Sequence, residues 1–275
     1  MNDSIDCDRF IDTVLAQGAE RYRDFAWRRT ADPYAILVSE IMLQQTQTAR
    51  VERYFEEWMR RFPTACALAR ARVAEVLAAW AGLGYNRRAL ALKRAAEQVC
   101  AEYAGVLPDS GEALLSLPGI GPATAAALLA FAYDKPAVYL ETNVRSVLLH
   151  EFFPQAKGVT DKELRVLLSG ITERVSVLGI SARVWNYALL DYGAYLKKAL
   201  PNPGRRSKHH SRQSAYEGSR RQKRARLLEA VLAAPNQTTE ALARSLGYDF
   251  ALTESILSDL AAEGFLRRDG DTWSV

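Results

Sequence analysis

The stretch Leu117-Pro118-Gly119-Ile120-Gly121-Pro122-Ala123-Thr124-Ala125 decides how this sequence folds. Upstream, Asp109-Ser110 is a cap pair that leads into Leu114 and Leu115; downstream, Pro122 opens an alanine-rich helix that reaches about Tyr133. Serine caps a helix because its side-chain oxygen takes a free first-turn amide, and proline suits the first helical position because its missing N–H has no partner there. Leu117 to Gly121 therefore turn the chain between two helices. Gly119 and Gly121 permit backbone geometry closed to other residues, and they leave amides and carbonyls bare enough to approach a phosphate or bind a cation. Amides at the start of the Pro122 helix point the same way. Taken alone, such a turn can equally do no more than join two helices.

Outward from the turn, the pattern from Asp32 onward is a succession of short amphipathic helices, with few alternating β-branched runs and no strand-helix-strand rhythm. The body is expected to be all-α. Asp32-Pro33 starts a helix through Tyr34, Leu37, Val38, Ile41 and Met42, and further helices are expected around 50–61, 73–80 and 87–103. Residues 201–221, PNPGRRSKHHSRQSAYEGSRR, are rich in Pro, Gly, Ser and charge, which indicates a linker. Beyond it, Arg224 to Ala234 has helical apolar spacing, Thr239 caps a helix ending at Gly247, and a third helix runs from about Leu252 to Glu263. The end, FLRRDGDTWSV, reads as two short strands joined at Asp269-Gly270. Three helices and a hairpin make a winged-helix-like tail, which serves either DNA or protein docking or packing alone.

Composition narrows the classes. The chain has 275 residues, 49% hydrophobic and 25% charged, enough for a large core or for two or three modest domains. No run approaches the roughly 18 apolar residues of a membrane span. The opening MNDSIDCDRF is acidic where a signal peptide carries a basic and then an apolar stretch, so the cytoplasm is the expected place. Cys7, Cys66 and Cys100 show no metal-site spacing and are expected to be buried or idle thiols. A net charge of +4 says little, but Arg205, Arg206, Lys208, Arg212, Arg220, Arg221, Lys223, Arg224 and Arg226 face the single acid Glu217. That run is either a solvated linker or a phosphate-binding segment.

Five segments carry a resemblance. SEIMLQQTQT (Ser39 to Thr48), WAGLGYNRRA (Trp80 to Ala89), LPGIGPATA (Leu117 to Ala125), ETNV (Glu141 to Val144) and LLDYGA (Leu189 to Ala194) occur in one order. Together they resemble the helix-hairpin-helix base-excision DNA glycosylases, the endonuclease III-like superfamily. The first segment is most similar to the MutY-type adenine-specific mismatch glycosylases, and the likeness covers about residues 20–198. It implies an all-α, two-lobed fold: a six-helix lobe over 33–145 with the helix-hairpin-helix at 110–133, and a second lobe combining 1–32 with 146–204. A basic linker, 205–221, and the winged-helix-like domain, 222–275, follow.

The resemblance also implies a site. Leu117, Gly119, Ile120, Gly121 and Thr124 would grip the DNA backbone, with a monovalent cation seated at the backbone of Leu117 and Gly119. Such enzymes extrude their target base, because the reactive bond is inaccessible in the stack, and extrusion is cheapest at a mispair. Gln44 and Gln45 match positions that fill or probe the vacated stack, and Tyr85 lies in the loop that wedges beside it. Glu40 matches the catalytic acid; flanking Val38, Ile41, Met42 and Leu43 can keep its carboxyl protonated near neutral pH. A surface glutamate paired with Gln44 is the plain alternative.

Departures from the family limit what carries over. Glu141 stands where the family usually has an aspartate, so the second carboxylate, expected to stabilise an oxocarbenium-like sugar, is longer by one methylene. Ala123 stands where strand-nicking relatives hold a lysine that forms a Schiff base, so no lyase activity is expected unless a lysine such as Lys135 supplies a weak one. No four-cysteine iron-sulfur loop follows LLDYGA, and no domain resembling the family's reader of oxidised guanine is present. The expectation is a monomeric, cofactor-free, monofunctional DNA glycosylase of the cytoplasm and nucleoid. It would act on duplex DNA with a mismatched or damaged base, adenine opposite guanine or oxidised guanine first, thymine or uracil opposite guanine as the alternative. A non-catalytic damage binder and a transcription factor built on the tail are the readings from other classes.

Overall fold

The computed structural model of the chain describes residues 7–208 and 215–275; Arg212 of the basic run lies outside them. Helix α1 (Cys7–Glu20) precedes α2 (Pro33–Leu43), α3 (Thr48–Arg61), α4 (Ala65–Arg70), α5 (Val73–Trp80) and α6 (Arg87–Glu102). The glycine turn joins α7 (Gly111–Leu115) to α8 (Pro122–Phe131), and α9 (Thr142–Glu151), α10 (Asp161–Val177) and α11 (Ala182–Ala199) follow. Local chemistry sets several of these starts. Asp32 accepts the Tyr34 amide at 3.0 Å, Ser110 accepts that of Ala113 at 3.3 Å, and Thr160 with Glu163 forms a reciprocal capping box on α10.

Two apolar cores organise the helices. The first gathers Ile36, Leu37, Ile41 and Met42 of α2 with Trp58, Trp80 and Phe131; the second joins Phe10, Ile11 and Val14 of α1 to Val147, Leu168, Trp185 and Leu189. The changeover falls between Tyr139 and Leu140, ahead of residue 145, because α9 is one continuous helix whose Val144, Val147 and Leu148 all belong to the second core. Close backbone approach fixes how the second lobe packs. A Cβ at Gly18 of α1 would sit 2.4 Å from Ala188, and one at Gly193 of α11 would sit 2.2 Å from the carbonyl oxygen of Asn143. Glycine alone permits both contacts.

A buried ion cluster holds the segment between α1 and α2 to α11. Asp191, 2% exposed, accepts from Arg28 Nη1 and Nη2 at 2.7 and 3.0 Å and from Arg23 Nε at 2.5 Å. The Arg28 guanidinium also lies 4.3 Å from the Tyr187 ring centroid.

The cysteine expectation needs correction. Cys66 on α4 and Cys100 on α6 form a disulfide with Cα atoms 5.6 Å apart, while Cys7 is outside any disulfide. Their separation along the chain carries no signal, and only the packing of α4 along α6 brings them together.

The expected linker is also shorter at both ends. Residues 203–206 form a 3-10 turn against α9, where the Arg206 guanidinium donates to the carbonyls of Leu149, at 2.9 Å, and Pro154. Ser219 caps α12 (Arg220–Ala233), which starts four residues before the helix expected from Arg224. Two of its basic residues stand in ion pairs, Arg220 with Asp259 and Arg224 with Glu263, which also holds Arg87 of α6. Then come β1 (Gln237–Thr238), α13 (Thr239–Leu246, capped by Thr238 rather than Thr239), α14 (Phe250–Ala262), β2 (Arg267–Asp269) and β3 (Thr272–Ser274). The antiparallel sheet has the order β1-β3-β2. Two-residue β1 is too short for any period to show. Leu227, Leu228, Ile256, Leu260 and Trp273 join the first core, so this module is docked on the first lobe. Among the described residues no helix is long and apolar enough to cross a membrane.

Removing one partner of a buried ion pair leaves the other charge uncompensated. Asp191→Asn should therefore lower the unfolding free energy by about 3 kcal/mol in denaturant titration; a loss well under 1 kcal/mol would show that the cluster is dispensable.

Candidate active-site cleft

Helix α2 is apolar almost all round, with Tyr34 to Ser39, Ile41 and Met42 buried, and Glu40 is its one half-buried carboxylate. The Tyr139 hydroxyl donates to Glu40 Oε2 at 3.3 Å. Phe131 meets the Tyr139 ring edge-on at 5.4 Å and stacks on Tyr187 at 4.3 Å, so aromatic rings wall this side. Burial pushes the Glu40 carboxyl up to about 7; the Tyr139 hydrogen bond opposes that, the Glu141 charge adds to it, and the Arg28 charge opposes it. Desolvation wins because the single donor is neutral and its bond is long. Tyr139 itself stays a protonated donor, its hydroxyl held well above the ordinary range by burial and by the two glutamates.

Glu141 is built differently. It is the N-cap of α9: Oε1 accepts the amides of Asn143 at 2.5 Å and Val144 at 2.9 Å, and Oε2 accepts Asn143 Nδ2 at 3.3 Å. Lys197 of α11 donates to Asn143 Oδ1 at 3.0 Å, so it orients the amide that touches Glu141. Burial leaves the Glu141 carboxyl above its ordinary range, and the two amides, Lys197 and Arg145 oppose that rise. A helix N-terminus favours negative charge. Of the two carboxyls, Glu141 is the one equipped to hold a charge and Glu40 the one equipped to hold a proton. The cap holds the longer glutamate side chain against the first turn of α9. Neither Asn143 nor Lys197 stood out in the sequence, although Asn143 lies inside the ETNV segment.

A third group surrounds the end of α2. Gln44 Nε2 donates to Thr124 Oγ1 at 3.4 Å, which joins the QQT segment to the helix after the glycine turn. Gln45 and Tyr85 adopt left-handed backbone, φ +56° and +50°, a conformation that non-glycine residues rarely hold without support. Arg88 provides it. Its guanidinium donates to the carbonyls of Ile41 (2.8 Å), Met42 (2.9 Å) and Gln44 (2.5 Å), and also to Gly84 (2.8 Å) and the Thr46 hydroxyl (3.0 Å). One side chain thus closes the α2 C-terminus and the loop before α6 together, and burial brings its pKa down to about 10. Nothing in the local sequence separates Arg88 from its neighbour Arg87.

In the turn, Leu117 and Ile120 bury their side chains at 2% and 5% exposure, which leaves the backbone as the outward feature. Gly119 has φ +79°, and a Cβ there would meet the Ala91 Cβ at 2.7 Å. Gly121, Pro122 and Ala123 are exposed on the first turn of α8. The Leu117 carbonyl accepts the Ile120 amide at 3.2 Å. Lys135 is ion-paired to Asp109 at 2.5 Å.

Comparison with known proteins agrees with this geometry. The family described as HhH-GPD superfamily base excision DNA repair protein matches residues 38–173. The adenine DNA glycosylase of Mycobacterium tuberculosis (strain ATCC 25618 / H37Rv) is 34% identical over 280 residues, covering 94% of this chain and 90% of its own. That of Homo sapiens is 39% identical over 148 residues, covering 50% and 27%. A thermostable thymine-DNA glycosylase superposes with a TM-score of 0.60 at 28% identity, covering 68% of this chain and 86% of its own. An endonuclease III trapped on DNA, at 15% identity, shares the fold with a TM-score of 0.56 over 72% and 88%. Given a relative so similar along nearly its whole length, this chain belongs to the HhH-GPD superfamily of base excision DNA repair proteins.

Proposed function

We propose that the protein is a monofunctional adenine DNA glycosylase acting on adenine mispaired with guanine or oxidised guanine in duplex DNA, as a monomer. The unlike settings of Glu40 and Glu141 carry this reading, and the relatives named adenine DNA glycosylase support the base. The exposed backbone of the glycine turn and the first turn of α8 take a phosphate, while Gln44, Gln45 and Tyr85 occupy the gap that the extruded base leaves. The second lone pair of the Leu117 carbonyl, with that of Gly119, is the seat for a monovalent cation. The C-terminal module, in the element order of a winged helix, adds to the DNA surface.

In the cleft, Glu40 donates its proton to a ring nitrogen of the departing purine, and the C1′–N bond breaks with its electron pair leaving on the base. The Glu141 carboxylate faces the positive charge that develops on the sugar. Glu40, now ionised, takes a proton from the water that attacks C1′, which restores the acid and leaves an abasic site. Ala123 offers no amine for a Schiff base and the Lys135 amine is engaged by Asp109, so the strand stays intact. No cofactor enters. The family's four-thiolate iron-sulfur cluster does not fit a chain of three cysteines, two of them joined to each other.

The thymine-DNA glycosylase likeness keeps one second reading, thymine opposite guanine, which the same assay separates. Single-turnover excision on duplexes with adenine opposite guanine or oxidised guanine, and thymine opposite guanine, tests both; strand breaks only after alkali, on the adenine duplexes, are expected.

Glu40→Gln should keep mispair binding within about twofold and lose excision by about a hundredfold or more, because the amide preserves shape without a transferable proton. Retention of most of the rate would remove Glu40 from the reaction.

Protonated Glu40 is the working form, so the single-turnover rate should fall as pH rises through about 7. Because the folded carboxyl titrates above its unfolded counterpart, its contribution to stability is complete in acid and lost as pH rises through the same value. Glu40→Gln should accordingly gain stability over the wild type above pH 7, read as a denaturation midpoint. A flat rate profile between about pH 6 and 8 would contradict this assignment.

Glu141→Asp should lower excision by about ten- to a hundredfold with binding and stability intact. The shorter side chain draws the carboxylate back toward the α9 backbone, and a shift of about 1 Å in the charge can cost about a hundredfold. A faster aspartate variant would mean that glutamate marks decayed catalysis.

A further inference from the structure

The end of α11 meets the start of α9 at Asn143. A Cβ at Gly193 would sit 2.2 Å from the Asn143 carbonyl oxygen, so the α11 backbone lies directly on that residue. Lys197 stands one helical turn further along the same face of α11, and its ammonium donates to Asn143 Oδ1 at 3.0 Å. The side chain is half-buried and stands in no ion pair among the described residues. Lys197 also lies beyond LLDYGA, outside the segments that carry the family likeness, so the family pattern assigns it no part.

An amide can turn either end toward a neighbour, and Lys197 fixes which end Glu141 meets. An ammonium only donates, so Oδ1 faces Lys197 and Nδ2 is left to donate to Glu141 Oε2 at 3.3 Å. Turned the other way, the amide would present an oxygen, which only a protonated carboxyl can serve. In the orientation observed, Glu141 accepts from the Asn143 and Val144 amides and from Asn143 Nδ2, and every one of these bonds favours the anion. The Lys197 charge works in the same direction, against burial. The other groups around Glu141 are committed elsewhere. Arg145 of α9 is paired with Asp161 at 2.8 Å, Glu40 of α2 holds its proton up to about 7, and the Tyr139 hydroxyl donates to Glu40. From the turn at 203–206, Arg206 donates to the carbonyls of Leu149 and Pro154, beyond the far end of α9.

We propose that Lys197 is a positioning residue for the reaction: acting through Asn143, it keeps Glu141 an anion and fixes that anion at the start of α9, where positive charge develops on the sugar. The inference rests on the glycosylase reading above and names the residue that prepares the electrostatic half of the same site. Lys197 itself gives up no proton in the step. Its part is to be in place beforehand, so that no reorganisation is needed when the bond breaks.

The test uses the full chain and reads the single-turnover rate against pH and, separately, the ionisation of Glu141. Lys197→Met keeps an apolar stem and removes both donor and charge. Relative to the wild type, its excision should fall about threefold at about pH 7 and by about tenfold more at about pH 5, because a carboxylate that loses a nearby cation returns to its neutral form in acid. Lys197→Arg, which keeps the charge and the donors, should recover most of the loss in acid. A loss by one factor at every pH would leave Lys197 a packing residue and overturn the proposal. Lys197→Met should also cost less in an Asn143→Ala background than alone, whereas equal costs would overturn the route through Asn143. NMR of isotope-labelled glutamate carboxyls follows the ionisation without substrate, with the Glu141 signal identified by its absence from Glu141→Asp. That titration should move to higher pH in Lys197→Met, and a titration that stays in place would overturn the proposal whatever the rates. If the wild type excises no adenine while Lys197→Met still moves the titration, the catalytic reading fails and the hold of Lys197 on Glu141 stands.

Discussion

Asp191, buried between Arg28 and Arg23, is the interaction on which the rest of the arrangement depends. It fastens the chain segment leading into α2 onto α11, and so sets the distance between the helix that carries Glu40 and the lobe that carries Glu141. It also governs the charge of the site. Arg28 is close enough for its charge to lower the Glu40 pKa, and without a counter-ion its positive charge would favour an ionised Glu40. Paired to Asp191 and lying over the Tyr187 ring, it disturbs Glu40 little, and desolvation prevails.

The two glutamates show how one residue type takes two roles from its surroundings. Glu40 comes from the middle of an apolar helix and meets one neutral hydroxyl; Glu141 comes from a helix start and meets amides that prefer the anion. A cap demands that an acceptor reach the free amides, and Glu141 meets that demand with a side chain one methylene longer than the family's aspartate, so its own length sets where the charge stands.

The glycine turn and the Arg88 cluster meet the same demand from opposite directions. In the turn, absent side chains let backbone stand outward. At the end of α2 and before α6, one side chain gathers the carbonyls that would otherwise be left without donors and holds Gln45 and Tyr85 in backbone geometry that they would not keep alone. The appended module continues this logic, since Arg221 bonds the Tyr85 hydroxyl, Arg220 ties α12 to α14, and Glu263 at the end of α14 holds Arg224 of α12 together with Arg87 of α6.

Much of the fold follows from local chemistry and is therefore written locally: Asp32-Pro33, Ser110, the Gly119 turn and the Asp269-Gly270 hairpin each determine their element through nearest neighbours in the chain. Glu40, Gln44 and the turn could be picked out for the same reason, as each sits in a segment whose spacing is short. Pairings between distant residues had no such trace. The Cys66–Cys100 bond, Arg88 on the α2 carbonyls, Lys197 behind Asn143, and the salt bridges that turn a basic stretch into the docked α12 all require two elements to be laid side by side. Periodicity reports which face of a helix is apolar, but not which helix will cover it, so those contacts were decided only when the two cores closed.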